Sequence, residues 1–131
     1  MGLENLLPIV NWPTKSGEYN IIQLEIEGRP WIRFSNVEGS LGQNHPEILE
    51  QALSEFKLEF MEVSSRDEAK LLIPSITGEK YSVTGMGKCD VVLTNNSVYF
   101  HDQSYCYGLS INEGHIEWIK PLIHEWKVYT L

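Results

Sequence analysis

From Glu18 to Glu27 apolar and polar residues alternate, with Ile22, Leu24 and Ile26 on one side of an extended chain and Gln23, Glu25 and Glu27 on the other. Successive side chains of a strand point to opposite faces, so this pattern predicts a strand with one face on a core and one toward water. Gly28-Arg29 then supplies a tight turn, and Pro30 to Phe34 returns as a second strand. The remaining chain has to cover the apolar face of that hairpin.

Before the hairpin, residues 1–17 carry Pro8, Pro13 and Gly17 and read as an irregular arm. After it, Ser35 to Asn44 is polar, holds Gly39 and Gly42, and reads as a loop. Pro46 suits the first turn of a helix capped by Asn44 or His45. Ile48, Leu49, Ala52, Leu53 and Phe56 then form one stripe, the core face of an amphipathic helix. Leu58 to Val63 has strand character. Ser65-Arg-Asp-Glu68 fits a capping box that opens a short helix ending before Pro74. Lys80 to Thr84 and Lys88 to Leu93 are strand-like, with Gly85-Met-Gly87 breaking them apart. Asn95-Asn96 turns the chain into a strand at Val98 to Phe100. Ser104 to Leu109 forms a tight polar turn in which Gly108 is free to take a positive φ. Ser110-Ile-Asn-Glu113 fits another capping box, opening a second main helix marked by Ile111, Ile116 and Ile119 and stopped around Pro121. Glu125 to Thr130 closes as a strand. The expected architecture is α+β: one domain over residues 1–131, a mostly antiparallel sheet and two main helices.

Charge and cysteine content narrow the function. A net charge of −8, with ten scattered Lys and Arg, offers no basic patch for a nucleic-acid backbone. Cys89 and Cys106 make neither a disulfide framework nor a Cys-x-x-Cys pair. Met-Gly-Leu-Glu-Asn lacks the basic start of a signal peptide, Leu6 fails the myristoylation pattern, and no apolar run reaches membrane-spanning length. A cytoplasmic protein with free thiols is expected. His45, His101, His115 and His124 show no paired spacing such as His-x-x-x-His, so no metal site is expected. His101-Asp102 reads as a polar strand end that could line a pocket.

The stretch from Tyr99 to Ile119 carries the strongest functional signal. A strand runs into a polar turn and then into a helix, and backbone N–H groups at such a junction can hold an anion. The structural alternative is an ordinary β-to-α connection. Ser104-Tyr-Cys-Tyr-Gly-Leu-Ser110 resembles the Ser-x-Ala-Tyr-Gly-Pro-Ala loop of the janus/ocnus phosphohistidine phosphatase family. Spacing is kept without a gap from Gly85-Met-Gly-Lys88 through Tyr107-Gly108 and Ile119 to Trp126-Lys-Val128. The resemblance covers roughly residues 18–57 loosely and 79–128 more tightly, and leaves about 60–78 as an insertion.

That resemblance implies a metal-independent, cofactor-free phosphatase acting on a phosphoramidate P–N bond, in a phosphorylated protein or a small molecule. His45-Pro-Glu-Ile48 stands where the family has His-Ala-Asp-Ile, which makes His45 the general base for the attacking water. Ser104, Tyr105 and Cys106 stand at the phosphate-binding amides. Lys88 replaces an Arg at the end of the glycine run, and Arg33 matches a family arginine. Asn20 falls where the family carries a lysine. For Arg33 and Lys88 the alternative is a solvated strand end, and for His45 an exposed helix start. A non-catalytic relative that binds an anion or a protein is the second reading of the whole chain.

Overall fold

In the computed structural model, residues 7–35, 44–58, 60–64, 70–74, 81–104 and 107–131 are described. β1 (Gly17–Ile26) and β2 (Arg29–Phe34) form the expected hairpin, with Ile26 opposite Arg29. Glu27 and Gly28 both have positive φ, 51° and 76°, as a turn matching the strands' twist requires. β1 also pairs antiparallel with β5 (Tyr81–Val92), and β5 with β6 (Ser97–His101). β9 (Lys127–Thr130) adds in parallel to β6, giving the sheet order β2-β1-β5-β6-β9. Two small hairpins, β3 (Phe60–Ser64) with β4 (Lys70–Pro74) and β7 (Gln103–Ser104) with β8 (Leu109–Ser110), complete the strands. The architecture is α+β, mostly antiparallel, with helices α1 (His45–Glu55) and α2 (Glu113–Ile119).

Both faces of the central sheet are covered. α1 brings Ile48, Leu49, Ala52 and Leu53 against Ile22, Leu24, Trp31 and Met86. α2, the 3₁₀ turn at Lys120–Ile123 and the N-terminal arm bring Ile116, Ile119, Ile123 and Val10 against Tyr19, Ile21, Phe34, Cys89 and Phe100. The arm is irregular, as expected, and is held by Trp12 stacked on Trp126 at 3.9 Å and by a parallel bridge from Val10 to Ile32. Asn44 caps α1 with a complete capping box to Glu47, and Pro46 sits in the first turn.

Four sequence expectations are corrected. β1 is not half-buried: Gln23, on its polar side, is wholly enclosed, because α2 offers it hydrogen bonds through Asn112 and His115. Gly85-Met-Gly87 does not break β5. A Cβ on Gly85 would meet Gln23 Oε1 and Ser110 O, and one on Gly87 would lie 2.6 Å from His101 O and 2.7 Å from Ile111 Cδ1. These glycines therefore let β8 and the entry to α2 close on an unbroken strand. Residues 70–74 are strand, where a helix is predicted from the capping box; residues 65–69 lie outside those described. Finally, Ser110 belongs to β8, and α2 is capped two residues later by Asn112, whose side chain accepts from the His115 N–H.

Candidate active site

His45 is the first residue of α1, and the helix start aims its ring at the sheet. Its Nε2 lies 2.9 Å from the carbonyl oxygen of Gly87 on β5. A carbonyl only accepts, so Nε2 carries the proton and Nδ1 is left as the basic nitrogen in the neutral ring. Burial lowers the His45 pKa from its ordinary value; the Gly87 bond and Asp102 oppose this, while Lys88 adds to it. The ring is thus held neutral, in one tautomer, close enough to Lys88 and Asp102 to feel both charges.

Lys88 is the next residue of β5 and its Nζ is 3.3 Å from Asp102 Oδ2. Asp102 takes a left-handed conformation, φ 71°, where β6 turns into β7, a backbone Asp tolerates better than most. Its carboxyl pKa is lowered, first by the Gln103 N–H and then by Lys88. Asn20 is the direct β1 partner of Lys88 and is buried. The position read as the family's lysine therefore borders this same group.

Ser104 follows Asp102 by two residues. It is buried in β7, and its carbonyl accepts the Gly108 N–H at 2.9 Å, with Gly108 at φ 66° as the turn requires. Tyr107, within the turn, and Leu109, just beyond it, pack on the α1 side of the sheet. Tyr105 and Cys106 lie outside the described residues. Because β8 intervenes, the turn is not backed directly by the start of α2.

Arg33 is not brought to this group. It is buried beside the far end of α1, with Nε 2.9 Å from Glu55 Oε1. Nη1 donates to the carbonyls of Ile9 and Ile32, and Nη2 to that of Pro8. Four of its five N–H groups are committed, and its plane stacks 5.0 Å from the Phe56 ring. Glu55 is ten residues along α1 from His45, about 15 Å at helical rise. The arginine clamps the arm, β2 and α1 together. A cleft of about 310 Å³ beside it, lined by Asn11, Arg33, Gln51 and Glu55 among others, holds none of the other candidate residues.

One cluster was not visible in residue spacing. Glu18, Asp90 and His101 come together from β1, β5 and β6, with one ligand atom of each within 4.8 Å of the others. Spacing along the chain reports ligands on one helix or loop; three adjacent strands can meet side by side at any separation in sequence. No helix among the described residues is long and apolar enough to cross a membrane. No family model matches the chain, and no curated protein matches it.

Proposed function

We propose that this protein hydrolyses a phosphoramidate, with His45 as the general base. The observation that carries the reading is the His45–Gly87 contact, which fixes the proton on Nε2 and leaves Nδ1 as the basic nitrogen. A water bound beside Nδ1 gives up its proton as its oxygen attacks phosphorus. The P–N bond breaks, and the nitrogen leaves with the bonding pair and takes a proton from solvent, while His45 returns its proton to solvent, so the products are the amine and inorganic phosphate. Lys88 and the backbone amides expected of Ser104, Tyr105 and Cys106 hold the phosphoryl oxygens, and no cofactor takes part in these steps. The substrate is a phosphorylated histidine or lysine side chain, or a small phosphoramidate.

The Lys88–Asp102 pair favours a second reading, a relative of the phosphatases that binds an anion or a protein without catalysis. With Asp102 at 3.3 Å and the neutral Asn20 alongside, less positive charge faces a phosphoryl group than an open lysine would offer.

Phosphate release from phosphohistidine or phosphoramidate, followed from pH 6 to 9, separates the two. In the hydrolase, His45→Ala lowers turnover by about 10²- to 10⁴-fold with circular dichroism unchanged. Asp102→Asn frees Lys88 and lowers KM. No turnover by the wild-type protein at any of these pH values would sink catalysis and leave binding.

A further inference from the structure

We infer that Glu18, Asp90 and His101 form a binding site for a divalent transition-metal ion of the zinc class. This goes beyond the hydrolase reading and does not depend on it, since neither His45 nor the turn at Ser104 is among the ligands. Glu18 and Asp90 are direct cross-strand partners on β1 and β5. Two carboxylates placed directly opposite repel, and a chain of net charge −8 has little to gain from keeping them so. His101 reaches in from β6, its Nε2 3.4 Å from Asp90 Oδ2 and 3.6 Å from Glu18 Oε2. Both separations exceed the usual N–H···O length of about 2.7–3.2 Å. Among the described residues, His101 Nε2 is shielded from water and makes no hydrogen bond. A buried ring nitrogen in that condition is unusual and calls for a partner.

The spacing suits an ion. Nitrogen and oxygen ligands about 2.0–2.1 Å from a tetrahedral zinc lie roughly 3.3–3.4 Å apart, close to the two separations from His101. Closure would need only shifts of a few tenths of an ångström near the histidine and a rotation of the partly exposed carboxylates. The imidazole selects against magnesium and calcium, which prefer oxygen alone. Glu18 and Asp90 are each about two-fifths exposed, at 43% and 44%, so the ion has an entry path and a coordination position open to water. Lys88, the cross-strand partner of His101, is tied to Asp102. All three ligands stand on neighbouring strands of one sheet, which holds their backbones fixed before the ion arrives.

The test is zinc titration calorimetry on the full chain, with the visible spectrum of added cobalt as a second readout of coordination. Wild-type protein should bind one ion and show the intense tetrahedral cobalt bands. His101→Gln, and separately Glu18→Gln with Asp90→Asn, should each weaken binding by at least about tenfold, the lower end of what loss of an outer-shell partner alone does. The carboxylate-to-amide changes are nearly isosteric and relieve repulsion, and folding of both variants is checked by circular dichroism. His45→Ala should leave the affinity unchanged, which separates this site from the hydrolase reading. Absence of one-to-one binding overturns the proposal. So does undiminished affinity in the variants, or loss of binding in His124→Gln, which would place the ion at the exposed His124–Glu125 pair.

Discussion

Replacing Gln23 by methionine should cost about 2–4 kcal/mol, and the structure says where the loss arises. Gln23 is wholly buried and joins β1 to the entry of α2 by three hydrogen bonds. Its Nε2 donates to Asn112 O at 3.0 Å and to His115 Nδ1 at 3.1 Å, and its Oε1 accepts the Asn112 N–H at 2.8 Å. The assignment is self-consistent: His115 Nε2 lies 2.9 Å from the Leu24 carbonyl and must donate, so Nδ1 must accept. Methionine keeps the unbranched shape but supplies neither donor nor strong acceptor. The Asn112 groups belong to an exposed residue that water can reach, so each costs the low end for a hydrogen bond, about 0.5 kcal/mol, while His115 Nδ1 stays buried and unsatisfied, about 1–3 kcal/mol. For a chain of 131 residues unfolding entropy is about 0.28 kcal/mol/K, so the melting temperature should fall by roughly 7–14 °C. Urea unfolding at pH 7.5 gives the free energy and calorimetry the temperature. A loss under about 1 kcal/mol with an unchanged m-value would refute the idea that this amide fastens α2 to the sheet.

Three other perturbations probe different parts of the molecule. Lowering pH should destabilise the protein below about 6.5: burial lowers the pKa of both His45 and His115, so the unfolded chain takes up protons first and stability falls until the folded pKa values are passed; urea midpoints between pH 5 and 7.5 report the slope, which His45→Ala should reduce. Arg33→Ala strands Glu55 and two arm carbonyls and should cost about 3–5 kcal/mol, reduced by the partial exposure of Glu55; any phosphate release by the folded fraction should keep its KM, and a raised KM would return Arg33 to the substrate. Gly87→Ala pushes a methyl group onto His101 O and Ile111 and should cost about 1–3 kcal/mol, read by thermal melting.

Local signals were the legible ones. The β1–β2 hairpin, the Asn44 cap, the apolar stripe of α1 and the turn at Gly108 each depend on residues within one or two turns of chain, and each stands within a residue of its expected place, the hairpin turn falling at Glu27-Gly28 rather than Gly28-Arg29. What failed depended on partners distant in sequence. Gly85 and Gly87 read as breakers because a glycine's use for close approach shows only once β8 and Ile111 are beside it. Ser110 matched a capping box, but β7–β8 pairing takes it into a strand and leaves Asn112 to cap α2. Arg33 had the residue type of a phosphate ligand, but Glu55 and the arm carbonyls engage it. Of the candidate site, His45, Lys88 and Asp102 meet around Gly87; Ser104 follows Asp102 by two residues in the adjoining β7 strand.

The register irregularity in β5 opposite Gln23 and Leu24 reaches further than local geometry. Thr84 is one residue too many for the pairing, so the strand changes parity as it passes. Tyr81 and Val83 face α1 as odd residues, and Met86 does so as an even one, while Cys89 and Val91 turn to the opposite core. Lys88 and Asp90 inherit the even setting, which puts both charges on the face shared with His45, Glu18 and His101. Because the extra residue is taken up between Val83 and Gly85, a chain lacking Thr84 would alternate regularly through this point and keep every later side chain on its present face. Lys88 and Asp90 would stay beside Asn20 and Glu18, and Cys89 and Val91 would stay in the apolar layer beneath α2. What the extra residue adds is a contact: its carbonyl accepts the Asn112 side chain at 3.1 Å, so the bulge is one more anchor for the entry to α2, while the regular pairing beyond it places both sites.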